Sequence, residues 1–278
     1  MSLNWTTGKT IANIYNDDEK DPYIITKLKI EPKFDADLNE SKFSKNDKNL
    51  EIVDNVLQLP KGYKMRLSPQ HDKDQNLRLV VLGPSGSGKS TWIKNFILDY
   101  KKLYPKKEVF LFSSHDADPS IDQAKPTRIK ITEEEIAISL KTRQPLFTNK
   151  NLAKSIVIFD DTYSAQSKLL VNFWDALATD LAQNARKLEI DLVFCLHNTN
   201  HSRTRFLMSE STMFVLFLRS GARAMYERIL ESYLGFKDKK IRKQLFNLPS
   251  RYVCFSNIAP MFILTEKMCI TQDYFDKD

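Results

Sequence analysis

Leu77-Arg78-Leu79-Val80-Val81-Leu82-Gly83-Pro84-Ser85-Gly86-Ser87-Gly88-Lys89-Ser90-Thr91-Trp92-Ile93-Lys94-Asn95-Phe96-Ile97-Leu98 decides the fold. An apolar run with the composition of a buried strand leads into a glycine-bearing turn, and the turn leads into a helical pattern. Gly83 to Ser90 is a complete P-loop in its required setting. Its glycines let backbone approach a polyphosphate, and successive N–H groups at the helix N-terminus point at the anion. Lys89 would reach the β- and γ-phosphates, the Ser90 hydroxyl would ligate Mg²⁺, and Thr91 completes the nucleotide-contacting set. The chain has only seven glycines, and three of them fall at 83, 86 and 88, so glycine is concentrated where backbone approach is needed. A second Gly-Lys-Thr, at Gly8-Lys9-Thr10, fails as a P-loop because Leu3 stands where the first glycine belongs.

Downstream, apolar strands alternate with helical patterns. Val109–Phe112, Ile156–Phe159, Asp191–Leu196 and Met213–Leu218 read as strands. Thr132 with Glu135 forms a capping box that opens a helix. Ser167 to Leu188 reads as one long helix with Leu170, Phe173, Trp174, Leu177 and Leu181 on one face, and Ala222 to Leu234 as a helix ended by Gly235. Uninterrupted apolar strands between helices predict a mostly parallel α/β sheet covered on both faces. Two hairpins are expected: Val53–Leu59 with Tyr63–Leu67 across Pro60-Lys61-Gly62, and a C-terminal one, Tyr252–Phe255 with Met261–Thr265. Residues 1–50 are polar and aperiodic, with short strand signals at Tyr23-Ile24-Ile25 and Leu28-Lys29-Ile30. They read as a weakly ordered or extended N-terminal arm, which leaves 51–278 as the P-loop domain.

The bulk composition narrows the function classes. A net charge of +7, from 42 Lys+Arg against 35 Asp+Glu, is compatible with a nucleic-acid partner and equally with a merely Lys-rich composition. The three cysteines are widely spaced and form no CxxC pair, which indicates neither a disulfide framework nor a zinc module and suits a reducing compartment. The N-terminus has no basic stretch followed by an apolar core, so no secretory signal is expected. No apolar run approaches the roughly 20 residues a membrane span needs, so no membrane partner is expected.

A P-loop alone does not separate ATPases, kinases and GTPases. The second informative element is Ile156-Val157-Ile158-Phe159-Asp160-Asp161, where two acids emerge from the end of a buried strand, as in a Walker B motif. Asp160 would hold Mg²⁺ and Asp161 would orient or deprotonate the attacking water. The next strand ends in His197-Asn198-Thr199. Asn198 is the candidate for a polar contact to γ-phosphate and water, because an amide both donates and accepts. His197 and His201 stand four apart, but no helix and no third ligand make them a metal pair. Arg186 lies at the start of the apolar strand that leads to this tip, on the far side of the sheet from the ligand edge. It therefore suits an arginine finger supplied to a neighbouring subunit, with Arg203, Arg205, Arg219 and Arg223 as competitors.

Walker A at 83–90, the Asp-Asp strand end at 156–161, Asn184-Ala185-Arg186-Lys187 before an apolar strand with a polar tip, Arg203-Thr204-Arg205 and the strand at 213–218 together resemble the FtsK–HerA superfamily. Within it the pattern is most similar to the poxvirus-type genome-packaging ATPases, over residues 77–265. The resemblance implies a RecA/ASCE-like P-loop fold and ATP hydrolysis with Mg²⁺. It also implies a homo-oligomeric ring that drives double-stranded DNA into a capsid, and a capsid or portal-region partner. The implied location is the host cytoplasm or the virion. The superfamily usually carries Glu where Asp161 stands and often Gln where Asn198 stands. Two other readings share the loop: a P-loop kinase of nucleotides or small molecules, and an assembly protein that binds nucleotide without motor activity.

Overall fold

A computed structural model of the chain describes residues 1–16, 22–31, 43–69, 76–162, 167–199, 202–271 and 274. The polar runs at 17–21 and 35–42, together with His201, lie outside the described residues. The chain divides into two compact units, one made of Met1–Gln70 with Phe214–Asp278, the other of His71–Met213.

The first unit begins with β1 (Ser2–Asn4), β2 (Lys9–Asn16), β3 (Ile24–Glu31), β4 (Ile52–Val53), β5 (Val56–Gln58) and β6 (Tyr63–Leu67). Four of these form an antiparallel sheet in the order β1-β3-β2-β6. Gly8, in the turn before β2, has φ +83°, and a Cβ there would stand 2.4 Å from the Ile30 carbonyl oxygen. Only glycine fits that approach.

The hairpin expected across Pro60-Lys61-Gly62 does not form. β6 pairs with β2, from Ala12↔Leu67 to Asn16↔Tyr63, while β5 pairs with β4 on one side. The tight turn lies earlier, at Asp54-Asn55, where both residues have positive φ (50° and 62°). A two-residue hairpin turn needs that handedness, and Asp and Asn tolerate it.

The second unit carries β7 (Arg78–Leu82), α1 (Lys89–Leu103), β8 (Val109–Ser113), β9 (Thr127–Ile129), α2 (Glu133–Thr142), β10 (Ile156–Asp160), α3 (Lys168–Asn184), β11 (Asp191–Leu196) and α4 (Ser202–Glu210). Its sheet runs β7-β11-β10-β8-β9 with every pairing parallel. This is the P-loop NTPase fold, an α/β structure with a mostly parallel sheet. One strand, β11, separates the P-loop strand from the Asp-Asp strand, as a RecA/ASCE-like arrangement requires. β7, β10 and β11 are buried almost throughout, which matches their unbroken apolar sequence. Phe112, Phe159 and Phe194 share one register across three neighbouring strands and stack with centroids 5.3 and 5.5 Å apart. Trp174 of α3 closes on Phe112 at 5.2 Å. This aromatic row lies one or two residues below the strand ends and gives them a rigid floor.

The helices form for legible reasons. α1 buries Trp92, Ile93, Phe96, Ile97 and Tyr100, a single face at helical spacing. α2 opens on the expected capping box: Glu135 N donates to Thr132 Oγ1 at 3.2 Å and Thr132 N donates to Glu135 Oε2 at 2.7 Å. α3 ends earlier than its periodicity suggests, at Asn184, and a 3-10 turn, Ala185–Leu188, follows. Its buried stripe is Trp174, Ala178, Leu181 and Ala182, so Leu170, Phe173 and Leu177 are only half-buried. At the far end of the sheet, buried Asp191 accepts from Leu77 N at 2.9 Å and from Tyr100 OH at 3.2 Å.

The chain returns to the first unit with β12 (Met213–Leu216), α5 (Arg223–Ser232), α6 (Lys239–Asn247), β13 (Val253–Ser256), β14 (Phe262–Leu264) and β15 (Met268–Thr271). The expected C-terminal hairpin is β13 with β14, in register Cys254↔Leu264. β15 adds a third antiparallel strand to it and pairs in turn with β5. Buried Arg242 pins α6 by donating from Nη1 to the Phe236 and Lys237 carbonyls, both at 2.7 Å.

Candidate active site

The P-loop leaves β7 and turns back into α1. Gly83 N donates to Leu196 O at 3.2 Å, which ties the start of the loop to the end of β11. Gly86 and Gly88 adopt φ of 74° and 107°, and Gly88 is the residue from which α1 starts. Such backbone curls a row of N–H groups around a concave space. Lys89 is buried, and its Nζ donates to the carbonyls of Gly83 at 2.7 Å and Pro84 at 3.0 Å. Burial pushes its pKa down, while Cys195, Asp161 and Asp160 act in the opposite sense. Ser90 is half-buried in the first turn of α1, and Thr91 is exposed.

The acid pair arrives two strands away at the same sheet edge. In register, Asp160 stands beside Cys195 of β11 and Ser113 of β8. Burial raises the Asp160 pKa to about 6, with further upward push from Asp161 and Asp118 and a downward pull from Lys89 and His115. Asp161, the residue after the strand, has φ +56°, in the left-handed region. Its carboxylate meets two imidazoles, with Oδ1 2.7 Å from His197 Nε2 and Oδ2 3.1 Å from His115 Nε2. Its carbonyl accepts from Ser114 Oγ at 2.8 Å. Burial is the main force holding the His197 pKa down, and the Lys89 charge adds to it.

The loop at 83–90 and the acids at 160–161 therefore meet at one edge, because every strand of this sheet points the same way. Asn198 belongs to the same edge, two residues past β11, and is exposed. The residue of that tip whose side chain reaches Asp161 is its neighbour His197. Arg186 is not part of this cluster. It is exposed in the 3-10 turn before β11, at the opposite end of the strand. Six extended residues, about 20 Å, separate the two edges. Arg205 is exposed on α4, Arg219 and Arg223 belong to the other unit, and the Arg203 side chain lies outside the described set.

Sequence reasoning missed Ser114 and His115. The available signal was their position: Ser113-Ser114-His115-Asp116 follows an apolar strand of a parallel sheet, where ligand-side loops begin.

A magnesium nucleotide fits these residues. A buried ammonium lies within the curled loop, and a desolvated carboxylate faces its field from the neighbouring strand ends. Among the described residues no group of three or more His, Cys, Asp and Glu is arranged to hold a metal by itself. The three cysteines are buried and free. No described helix is long and apolar enough to cross a membrane.

Fold and site together define a P-loop NTPase. No family model matches the chain. It is 28% identical over 192 residues to the uncharacterized protein V3 of Sputnik virophage, covering 68% of this chain and 74% of that protein. Among solved structures it is similar to the genome packaging NTPase B204 from Sulfolobus turreted icosahedral virus 2 in complex with ATPγS, at 13% identity and a TM-score of 0.45. That match covers 70% of this chain and 98% of B204. It is also similar to the cytoplasmic domain of the type VII secretion ATPase EccC of Thermomonospora curvata, at 12% identity and a TM-score of 0.46, over 77% of this chain and 28% of EccC.

Proposed function

We propose that the protein is a Mg²⁺-dependent ATPase that moves double-stranded DNA and packages a viral genome into a capsid. The observation that carries the reading is the meeting of Lys89 and the Asp160-Asp161 pair at one sheet edge with a strand inserted between them. The inserted strand favours a hydrolase of the RecA/ASCE-like kind over a P-loop kinase. The viral setting is supported by the motif resemblance and by the virophage relative.

In this reading Gly83 to Thr91 hold the phosphates, with the backbone N–H groups and Lys89 supplying the positive field. Asp160 and the Ser90 hydroxyl hold Mg²⁺, which when bound neutralises charge on the phosphates. Asp161 orients the attacking water and takes its proton. Asn198 contacts the γ-phosphate and the water. Arg186, too far from its own site, serves the site of the next subunit in a ring. Duplex DNA would be held through its phosphates, and the exposed Lys237, Lys239, Lys240 and Lys243 around α6 are the densest source of positive charge for that task.

The test is steady-state ATPase activity with and without long duplex DNA, together with nucleotide binding. Lys89→Ala should abolish binding and turnover. Asp161→Asn should keep binding and lower turnover at least about 100-fold. Hydrolysis that ignores DNA at low salt would remove the motor from the proposal. Full turnover by Asp161→Asn would remove the water-activating role.

A further inference from the structure

We infer that His197 and His115 are positioning residues for Asp161: the two imidazoles hold one carboxylate oxygen each and fix the direction from which that acid takes a proton. The inference rests on the reading that Asp161 acts on water. Asp161 leaves β10 in a left-handed conformation, φ +56°, so the sheet no longer dictates where its side chain points. Its partners must do so. They come from the ends of the two strands that flank β10: His197 follows β11 and His115 follows β8.

The geometry is that of a carboxylate held at both of its oxygens. A carboxylate offers about four acceptor positions, two on each oxygen. His197 Nε2 takes one on Oδ1 at 2.7 Å and His115 Nε2 takes one on Oδ2 at 3.1 Å. An ionised carboxylate only accepts, so each ring serves it with Nε2–H as the donor.

The two histidines are not equal. His197 is closer and its side chain is 36% exposed, against 60% for His115, so His197 carries more of the constraint. The His115 loop is nevertheless braced. His115 N donates to Ser113 Oγ at 3.1 Å, and Arg128 donates to the His115 carbonyl at 2.9 Å while its other nitrogen pairs with Asp122 at 2.6 Å. Ser114 Oγ holds the Asp161 carbonyl at 2.8 Å. The acid is thus gripped at backbone and at both carboxylate oxygens by residues from two other loops.

Steady-state kinetics on the full chain, with binding of a fluorescent ATP analogue, tests this. His197→Ala should lower kcat about 10-fold while KM and analogue affinity stay within about twofold. His197→Gln, whose amide N–H reaches the ε position, should recover a third or more of the rate. His115→Ala should cost about threefold. In an Asp161→Asn background, His197→Ala should have no further effect on the residual rate, because the histidine acts through the acid. An active wild type whose His197→Ala variant keeps full kcat overturns this inference alone. So does a loss that persists undiminished in the Asp161→Asn background, or one that appears in KM with no change in kcat. A wild type that binds the analogue and hydrolyses nothing overturns the functional reading, and this inference falls with it.

Discussion

The two units place chemistry differently. In the unit of residues 71–213 every strand runs parallel, so every strand ends at the same edge. Loops at 83–90, 113–115, 160–161 and 197–199 converge there with no special arrangement of the chain. In the unit of residues 1–70 and 214–278 the pairings among β1–β6 and β13–β15 are antiparallel. Successive loops between antiparallel neighbours leave opposite edges. What this unit gathers instead is charge on a helix, at Lys239, Lys240 and Lys243 of α6. Strand direction thus decides whether a unit concentrates groups at an edge or presents a face.

The sharpest way to break the comparison is Gly8→Ala. A methyl group 2.4 Å from the Ile30 carbonyl oxygen, on backbone with φ +83°, should cost more than about 3 kcal/mol. Hydrogen exchange should show protection lost in β2 and β3 and kept in β7, β10 and β11. Uniform loss across all five strands would mean that the units are one cooperative body. Next is Arg186→Ala, which should lower ATPase activity at least about 100-fold if the residue serves a neighbour's site. Mixing it with Asp161→Asn subunits should restore part of the rate, and no recovery on mixing would end the trans role.

Tyr100→Phe, at the far edge of the parallel sheet, should cost about 1–3 kcal/mol by urea unfolding, because it takes a donor from buried Asp191. The smallest effect concerns Asp160, whose folded pKa of about 6 exceeds the ordinary 3.8. Between those values the folded state binds more protons than the unfolded one, so stability falls as pH rises through the window, and the cost is complete above it. Without nucleotide or divalent ion, Asp160→Asn should therefore stabilise the protein at pH 8 by about 1 kcal/mol and leave it unchanged near pH 3. Thermal unfolding at the two pH values decides this.

The same contrast governs what the sequence disclosed. The parallel unit was legible because strands buried on both faces read as unbroken apolar runs, and a glycine-rich turn between strand and helix has few other uses. The antiparallel unit hid its strands. β2, Lys9-Thr10-Ile11-Ala12-Asn13-Ile14-Tyr15-Asn16, is buried through its middle six residues yet carries Thr and Asn among them. The hairpin assigned to Pro60-Lys61-Gly62 failed because turn chemistry is local: β5 is taken by β4 on one side and by distant β15 on the other, and β6 pairs with distant β2. Within the site, the loop and acid pair followed from motif and spacing. His115 and His197 as partners of Asp161 required the strand order, since residues 46 and 36 positions away meet only when β8, β10 and β11 lie side by side.

The left-handed turn at Asp161 also narrows which amino acids the position can host. Aspartate and asparagine adopt that backbone more readily than longer or branched residues do, so a glutamate would bear a local penalty that aspartate largely escapes. The shorter of the two acidic side chains is thus the one that this main-chain geometry accommodates. Selection at this codon would weigh backbone strain as well as acidity, and replacements should be confined to a short alphabet in which asparagine folds and fails to turn over.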